Sequence, residues 1–484
     1  MSARVGLSLA AVATLLAGCA TFSPDGGMGD VASAVGRETG KDVVKLDSAE
    51  ATRRAHERVV GLLAEPLSAD SAVQVALLGN RDLQAAYNDL GISEAAYVQA
   101  SLPKNPGLSF LLYGGTGITN FEVRLIENIL DLATLPARSK IAAEHYAHAK
   151  HVAISTTLGL AANVRRAWIR AVAAERQVRF LEQSRGTADE AARLVAKLGE
   201  AGQGDQLDQA EIAAFHAELS VRLGQARIAA RREREALTRL LGLWGPDAGF
   251  RLPDDLPPLP RAPDTIANVE VEAINRRIDL TVTRHDVAAY ARALKLTQAT
   301  RYVSMLQLAG LVNNESPNPL TNANTAINRG GGALDIEIPI FDSGEARERS
   351  ARETYMRAVN RLAARAVNAR SEARSAYDTY RGTYDVARFY ESRVLPLREV
   401  VSRQIGLRYA AAANVDPSLR VDLFKVLTDT RIRIMATAAA LDARRDFHLA
   451  DADLQAALTF GTNGSAAAAP SAAPSAAPSA AMGE

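Results

Sequence analysis

The chain repeats one long structural pattern, and a duplication of that size constrains architecture before any single residue does. The first copy opens with Leu67, Ser68, Ala69, Asp70, Ser71 and Ala72 and runs helically to Gly79, Asn80, Arg81, Asp82 and Leu83. The second opens near Asp264, Thr265 and Ile266 and reaches Asn275, Arg276, Arg277, Ile278, Asp279 and Leu280. In each copy the pattern predicts a helix of about thirty residues, a short alternating hairpin, a very long helix, a polar break and a returning helix. Pro253, Pro257, Pro258, Pro260 and Pro263 form the linker between the copies, so the repeats are read as 67–260 and 261–460.

The 484 residues are 48% hydrophobic but only 5% aromatic, and the apolar content is mostly Ala, Leu and Val, which suits close helix packing better than a wide core. A coiled bundle follows, and the fold class is mainly α with a small β portion. The formal net charge is +1, with both signs mixed along the chain, so no basic surface is available to hold a phosphate backbone. Nucleic acid is excluded as a partner.

Arg4 precedes an apolar stretch from Val5 to Ala17 that is too short to span a bilayer, and residues 1–18 read as a secretory signal. Leu16, Ala17, Gly18 and Cys19 resemble the lipobox of bacterial lipoproteins. Cys19 is the only cysteine, so it cannot form an intramolecular disulfide. The resemblance implies a mature chain beginning at acylated Cys19, each buried methylene adding about 0.8 kcal/mol of membrane affinity. Ala20 follows where an aspartate would suggest inner-membrane retention, which favours the outer membrane. An N-terminal segment, 19–66, leads to the first repeat. At the other end, 461–484 is an Ala/Pro/Ser tail that offers no apolar face and reads as disordered.

The hairpins are placed at about 107–132 and about 302–342. In the first, Phe121, Val123 and Leu125 point one way while Glu122 and Arg124 point the other. In the second, Val303 to Val312 is a strand and Asn313 to Arg329 a polar loop. Leu334, Ile336, Ile338 and Ile340 then alternate with Asp335 and Glu337. Such hairpins suit either a soluble cap or transmembrane barrel strands, whose length and pattern they match. If they are barrel strands, four cannot close a barrel, so several chains must share one, with Glu122, Arg124, Asp335 and Glu337 facing its lumen. Helical patterns run from about Ala137 to Leu198, roughly 90 Å at 1.5 Å per residue, and from Gly344 to about Ala412, which is at least as long.

These features together resemble the TolC-like outer membrane efflux family. The resemblance rests on the paired openings at Asn80, Arg81, Asp82, Leu83 and at Arg277, Ile278, Asp279, Leu280. It rests also on the strand-to-helix passage Pro339, Ile340, Phe341, Asp342, Ser343, Gly344. The helix breaks at Glu200, Ala201, Gly202 with Leu207, Asp208, and at Arg408, Tyr409 with Asp422, Leu423, complete it. It implies a homotrimer whose three chains build a twelve-stranded outer membrane barrel continued by an α-helical periplasmic tunnel. It also implies a periplasmic adaptor protein and an inner-membrane pump of the resistance-nodulation-division type as partners. Carried onto this sequence, Asp208 and Tyr409 resemble a latch between coils at the periplasmic gate, and Asp422 a constricting ring of carboxylates. Lys425 stands where relatives often carry another acid and can pair with Asp422 at i, i+3.

No nucleophile motif, phosphate loop or zinc-protease helix is present, so an enzyme is not expected, and no cofactor beyond the lipid on Cys19. His145, His148 and His151 recur at i, i+3, i+6, where neighbouring pairs can share a divalent metal, although a solvated helix face is the favoured reading. A channel and a pore-free periplasmic coiled-coil scaffold lipoprotein remain the two functional readings, the two-sided hairpins favouring the channel.

Overall fold

The computed structural model describes residues 21–115, 118–200, 206–317, 327–415 and 423–461. Cys19 with its signal, and the tail from residue 462, lie outside the described residues. The chain forms two compact units. One comprises residues up to Val31, Ala86–Ala153 and Asp279–Val367, and the other Ala32–Ala85, Ile154–Ile278 and residues from Asn368 onward.

The segment 19–66, for which the sequence suggested no elements, contains α1 (Met28–Thr39) and α2 (Ala49–Leu63). Between them an extended stretch is held by two buried glutamines that act as a substitute ladder. Asp42 N–H donates to Gln74 Oε1 at 3.1 Å and Gln74 Nε2 to Asp42 O at 2.9 Å. Leu46 N–H donates to Gln84 Oε1 at 2.8 Å and Gln84 Nε2 to Val44 O at 2.9 Å.

The expected thirty-residue helices are each two helices. α3 (Ala69–Gly79) is separated from α4 (Arg81–Ala100) by Asn80. Asn80 takes an extended ψ of 119°, donates its N–H to Ala76 O, and accepts the Leu83 N–H on Oδ1 at 2.9 Å. One residue thus closes the first helix and caps the second, satisfying end groups that would otherwise be orphaned. Its Nδ2 also donates to Leu240 O at 3.0 Å. In the second copy Arg277, with ψ 122°, likewise closes α7 (Val269–Arg276) ahead of α8 (Ile278–Ala299), its N–H donating to Ala273 O and its guanidinium to Glu372 Oε2 at 2.7 Å. Both residues are buried. The first break has a local signal in Gly79 and Asn80, whereas the second, at Arg276 and Arg277, has none as strong.

After β1 (Gly107–Gly115) and β2 (Ile118–Asn128), α5 runs from Ile129 to Glu200, starting eight residues before the expected Ala137. Asn128 Oδ1 caps it by accepting the Asp131 N–H at 3.0 Å. Pro136 therefore lies inside the helix. Near it, Thr134 Oγ1 donates to Leu130 O at 2.8 Å and Arg138 Nη2 to Asp131 O at 3.0 Å, so side chains serve carbonyls in the disturbed turn. α6 (Gln206–Leu241) returns, and a 3₁₀ turn at Gly245–Ala248 leads to the linker.

In the second copy β3 (Leu306–Pro317) and β4 (Ile327–Ile336) precede α9 (Glu345–Phe389). The second long helix is not continuous α-helix: a π turn, Tyr390–Val394, separates α9 from α10 (Leu395–Val415). There the Leu395 N–H reaches back to Tyr390 O, one residue before Pro396, whose missing N–H and ring oppose a regular ladder. α11 (Leu423–Thr459) returns.

The four strands form one antiparallel meander in the order β1-β2-β3-β4. Alanine lets the helices of the other unit approach closely. Ala273 of α7, Ala373 and Ala387 of α9, and Ala443 and Ala450 of α11 surround Tyr380, Tyr384 and Phe447. The proline linker has few N–H groups but many carbonyls, and side chains of this core meet them. Tyr384 OH donates to Arg261 O at 2.9 Å, and Arg444 Nη2 donates to Leu256 O at 2.6 Å.

Candidate functional site

The sheet has two chemically opposed faces, set by the two-residue period of a strand. Phe110 pairs with Val123, which pairs with Val312, while Leu112 pairs with Phe121 and Leu108 with Leu125. These side chains share one face with Leu308, Leu334 and Ile336. Phe110 is 63% and Leu112 70% exposed, so a broad apolar surface faces outward without a partner among the described residues. The band ends in polar groups, where Asn314 Nδ2 donates to Asn328 Oδ1 at 2.6 Å.

On the opposite face Leu111, Glu122, Asn313 and Arg329 form one row. Glu122 is 6% exposed and is ion-paired with Arg124, two residues on along β2. Arg329 pairs with Glu315 across β3 and β4 at 3.4 Å, and Asn313 Nδ2 donates to Asn120 Oδ1 at 3.5 Å. Asp335 lies on this face of β4. Glu337 does not, because β4 ends at Ile336; its carboxylate accepts from Ser304 Oγ at 2.7 Å. Pro339, which lacks an N–H for a ladder, ends the alternation expected to reach Ile340, and Ile338, Ile340 and Phe341 stand exposed beyond the strand. The expected polar loop at 313–329 is also corrected. Its ends belong to β3 and β4, because Asn313, Asn314, Glu315, Asn328 and Arg329 find partners across the ladder. That signal was present in the sequence as matched amides and opposite charges on either side of the turn.

Among the described residues β1 and β4 each pair on one side only, leaving two open edges. Among the same residues no helix is long and apolar enough to cross a membrane.

The gate candidates fall at the helix ends. Asp208 lies in the first turn of α6 and Tyr409 in α10, while Lys425 is exposed in the first turn of α11. The side chains of Asp208 and Tyr409, and all of Asp422, lie outside the described residues. Two nearby contacts escaped the sequence reading. Ser402 Oγ of α10 donates to the buried Asp429 Oδ2 of α11 at 2.5 Å. Arg431 of α11 meets Glu218 of α6 at 3.2 Å and lies over the Phe215 ring at 5.5 Å. Phe215 packs with Leu181, Leu219, Leu223 and Ile434, which ties α5, α6 and α11 together.

Of the three histidines in the row, His145 is exposed, and His148 and His151 are half-buried with partners of their own. His148 Nδ1 lies 2.7 Å from Asp286 Oδ1, and the His151 ring stacks on His285 at 5.2 Å. His285 Nδ1 is 2.7 Å from Glu144 Oε2, a carboxylate that also binds Arg292. His145 meets the Tyr290 ring edge-on at 6.5 Å. These are carboxylate pairs and ring contacts. Among the described residues no group of three or more His, Cys, Asp or Glu is arranged to hold a metal ion.

No family model matches the chain, and no curated protein matches its sequence significantly. Solved structures do match. CusC, whose crystal structures follow folding and transmembrane channel formation, is 18% identical over 81% of this chain and 92% of its own, with a TM-score of 0.67. The CmeC outer membrane channel of Campylobacter jejuni is 15% identical over 81% of this chain and 86% of its own, with a TM-score of 0.65. The outer membrane protein VceC of Vibrio cholerae is 16% identical over 86% and 99%, with a TM-score of 0.63. The mainly helical chain with its small sheet therefore has the TolC-like fold of outer membrane channels.

Proposed function

We propose that this chain is the outer membrane channel of a tripartite efflux system, a passive exit duct that catalyses no reaction. The observation that carries the reading is the four-stranded sheet with one apolar face, one charged face and two unpaired edges. In lipid an open edge leaves backbone groups without partners, so such a sheet is stable there only when further copies close it. Three copies would make a twelve-stranded barrel, with Glu122, Arg124 and Asp335 lining the lumen and Phe110, Val123 and Leu125 against lipid. In this assembly the long helices form the periplasmic tunnel, a periplasmic adaptor and an inner-membrane pump supply cargo and energy, and acyl chains on Cys19 add a second membrane hold. The gate lies where the helices turn, with Asp208 and Tyr409 as a latch and Asp422 and Lys425 at the constriction.

Purified full-length protein reconstituted in planar bilayers tests the proposal. Discrete single-channel currents from a species with the mass of three chains are expected. A trimer that inserts without conductance, or a chain that stays in the aqueous phase as a coiled-coil rod, would replace the channel with a scaffold.

A further inference from the structure

Four of the chain's seven histidines gather at one contact between two helices: His145, His148 and His151 from α5, and His285 from α8. They divide into two kinds. His148 and His285 each have a carboxylate oxygen at 2.7 Å, from Asp286 and Glu144 respectively. Among the described residues His145 and His151 have no carboxylate at ion-pair distance; their ring partners are Tyr290 and His285. Each unpaired imidazole lies beside a carboxylate-paired one, and the remaining charges nearby are already engaged. Glu144 also holds Arg292, and Lys150, which faces His151, is paired with Asp30 at 2.6 Å and lies over the Tyr146 ring at 5.1 Å. A proton on His151 would therefore meet the His285 ring and the Lys150 ammonium with only the occupied Asp30 to oppose them. A proton on His145 would meet His148, with Asp286 and Glu144, already engaged by His148 and by His285 and Arg292, as the opposing charges.

We propose that this α5–α8 contact is an acid-released joint, closed while His145 and His151 are neutral and loosened when they take up protons. Burial, and then the neighbouring imidazole of His148 or His285, hold both groups below the ordinary histidine value. An imidazole freed from the contact takes a proton near pH 6.5, whereas the closed contact holds the proton off. The closed state is fully stable above that pH and loses stability as pH falls through it, because the open state then binds more protons. This inference is independent of whether the chain conducts.

Hydrogen exchange on the full-length protein, corrected for intrinsic rates, tests it in peptides spanning 144–152 and 283–292. Exchange several-fold faster at pH 5.5 than at pH 7.5 is expected in both peptides. The double variant His145→Gln/His151→Gln should remove that dependence. Equal protection at both pH values in the wild type, or undiminished acid sensitivity in the variant, would overturn the proposal. Exchange at the histidine ring carbons of the wild type provides a reading that needs no variant. His145 and His151 should titrate below the ordinary value, and midpoints at or above it for both would also overturn the proposal.

Discussion

Gly242 and Gly461 end the two returning helices, and each lies against the residue that breaks the helix opening its own repeat. Gly242 has φ +71°, and a Cβ there would stand 2.6 Å from Gly79 O and 2.8 Å from Gly79 C, which is backbone that cannot swing aside. Gly461 has φ +89°, and a Cβ would collide with the Arg277 guanidinium, itself held by Glu372 at 2.7 Å. Gly242→Ala is expected to cost about 1 kcal/mol of left-handed strain plus about 1–3 kcal/mol of overpacking. Gly245 also has a positive φ, +61°, but nothing within 4 Å of its Cβ, so Gly245→Ala should cost only the strain, about 1 kcal/mol. Urea denaturation of the two variants checks this, and equal losses would mean the approach of Gly242 to Gly79 is not a tight contact in solution. The Asn80 and Arg277 positions were visible in the sequence as paired openings. That they touch the ends of the returning helices was not, because the partners are about 160 or more residues apart.

Among the elements, the strands were the more legible. Strict alternation at Phe121–Leu125 and Leu334–Ile336 assigned faces that the pairing register places consistently across the sheet. Strand ends were less legible, since Asn313 to Arg329 reads as loop until its amides and charges are seen to pair across the turn. Helix ends were less legible too. The pattern started the first long helix at about Ala137, yet Asn128 caps α5 and Pro136 lies inside it, and Pro396 is met by a π turn. Face assignment has a direct consequence. Val123→Arg or Ile336→Arg should reduce outer membrane insertion, at roughly 2–4 kcal/mol if these positions lie near the bilayer midplane. Glu122→Gln should leave insertion unchanged and alter only conductance. Quantifying the folded protein in outer membrane fractions decides between them, since equal levels for all three variants would mean Val123 and Ile336 are wrongly assigned to a lipid face.

At the scale of the whole molecule the proposed channel must be closed by weak contacts that can be released. Loss of the Tyr409 hydroxyl in Tyr409→Phe should remove about 0.5–1.5 kcal/mol per chain from the closed state if it bonds Asp208, with three chains acting together. Adding Asp422→Ala should widen the constriction and weaken cation preference. Single-channel recordings report both quantities, and currents indistinguishable from wild type would place the gate elsewhere, with the Ser402–Asp429 and Arg431–Glu218 contacts the next residues to test.

The sequence alone determined the properties that depend on near neighbours: the duplication, the length and apolar stripe of the helices, the two-sided strands and the proline-rich linker. Periodicity of 3.6 or 2 is a local property, so it survives in the order of the residues. Only the tertiary structure decided which distant groups meet. It placed His285 against Glu144, 141 residues away, and Asn80 against Leu240, 160 residues away. It also brought two of a row of three histidines, His148 and His151, into partly buried contact with Asp286 and His285. Burial and partner charge govern how such a group ionises, and both are supplied by residues whose proximity no local pattern encodes.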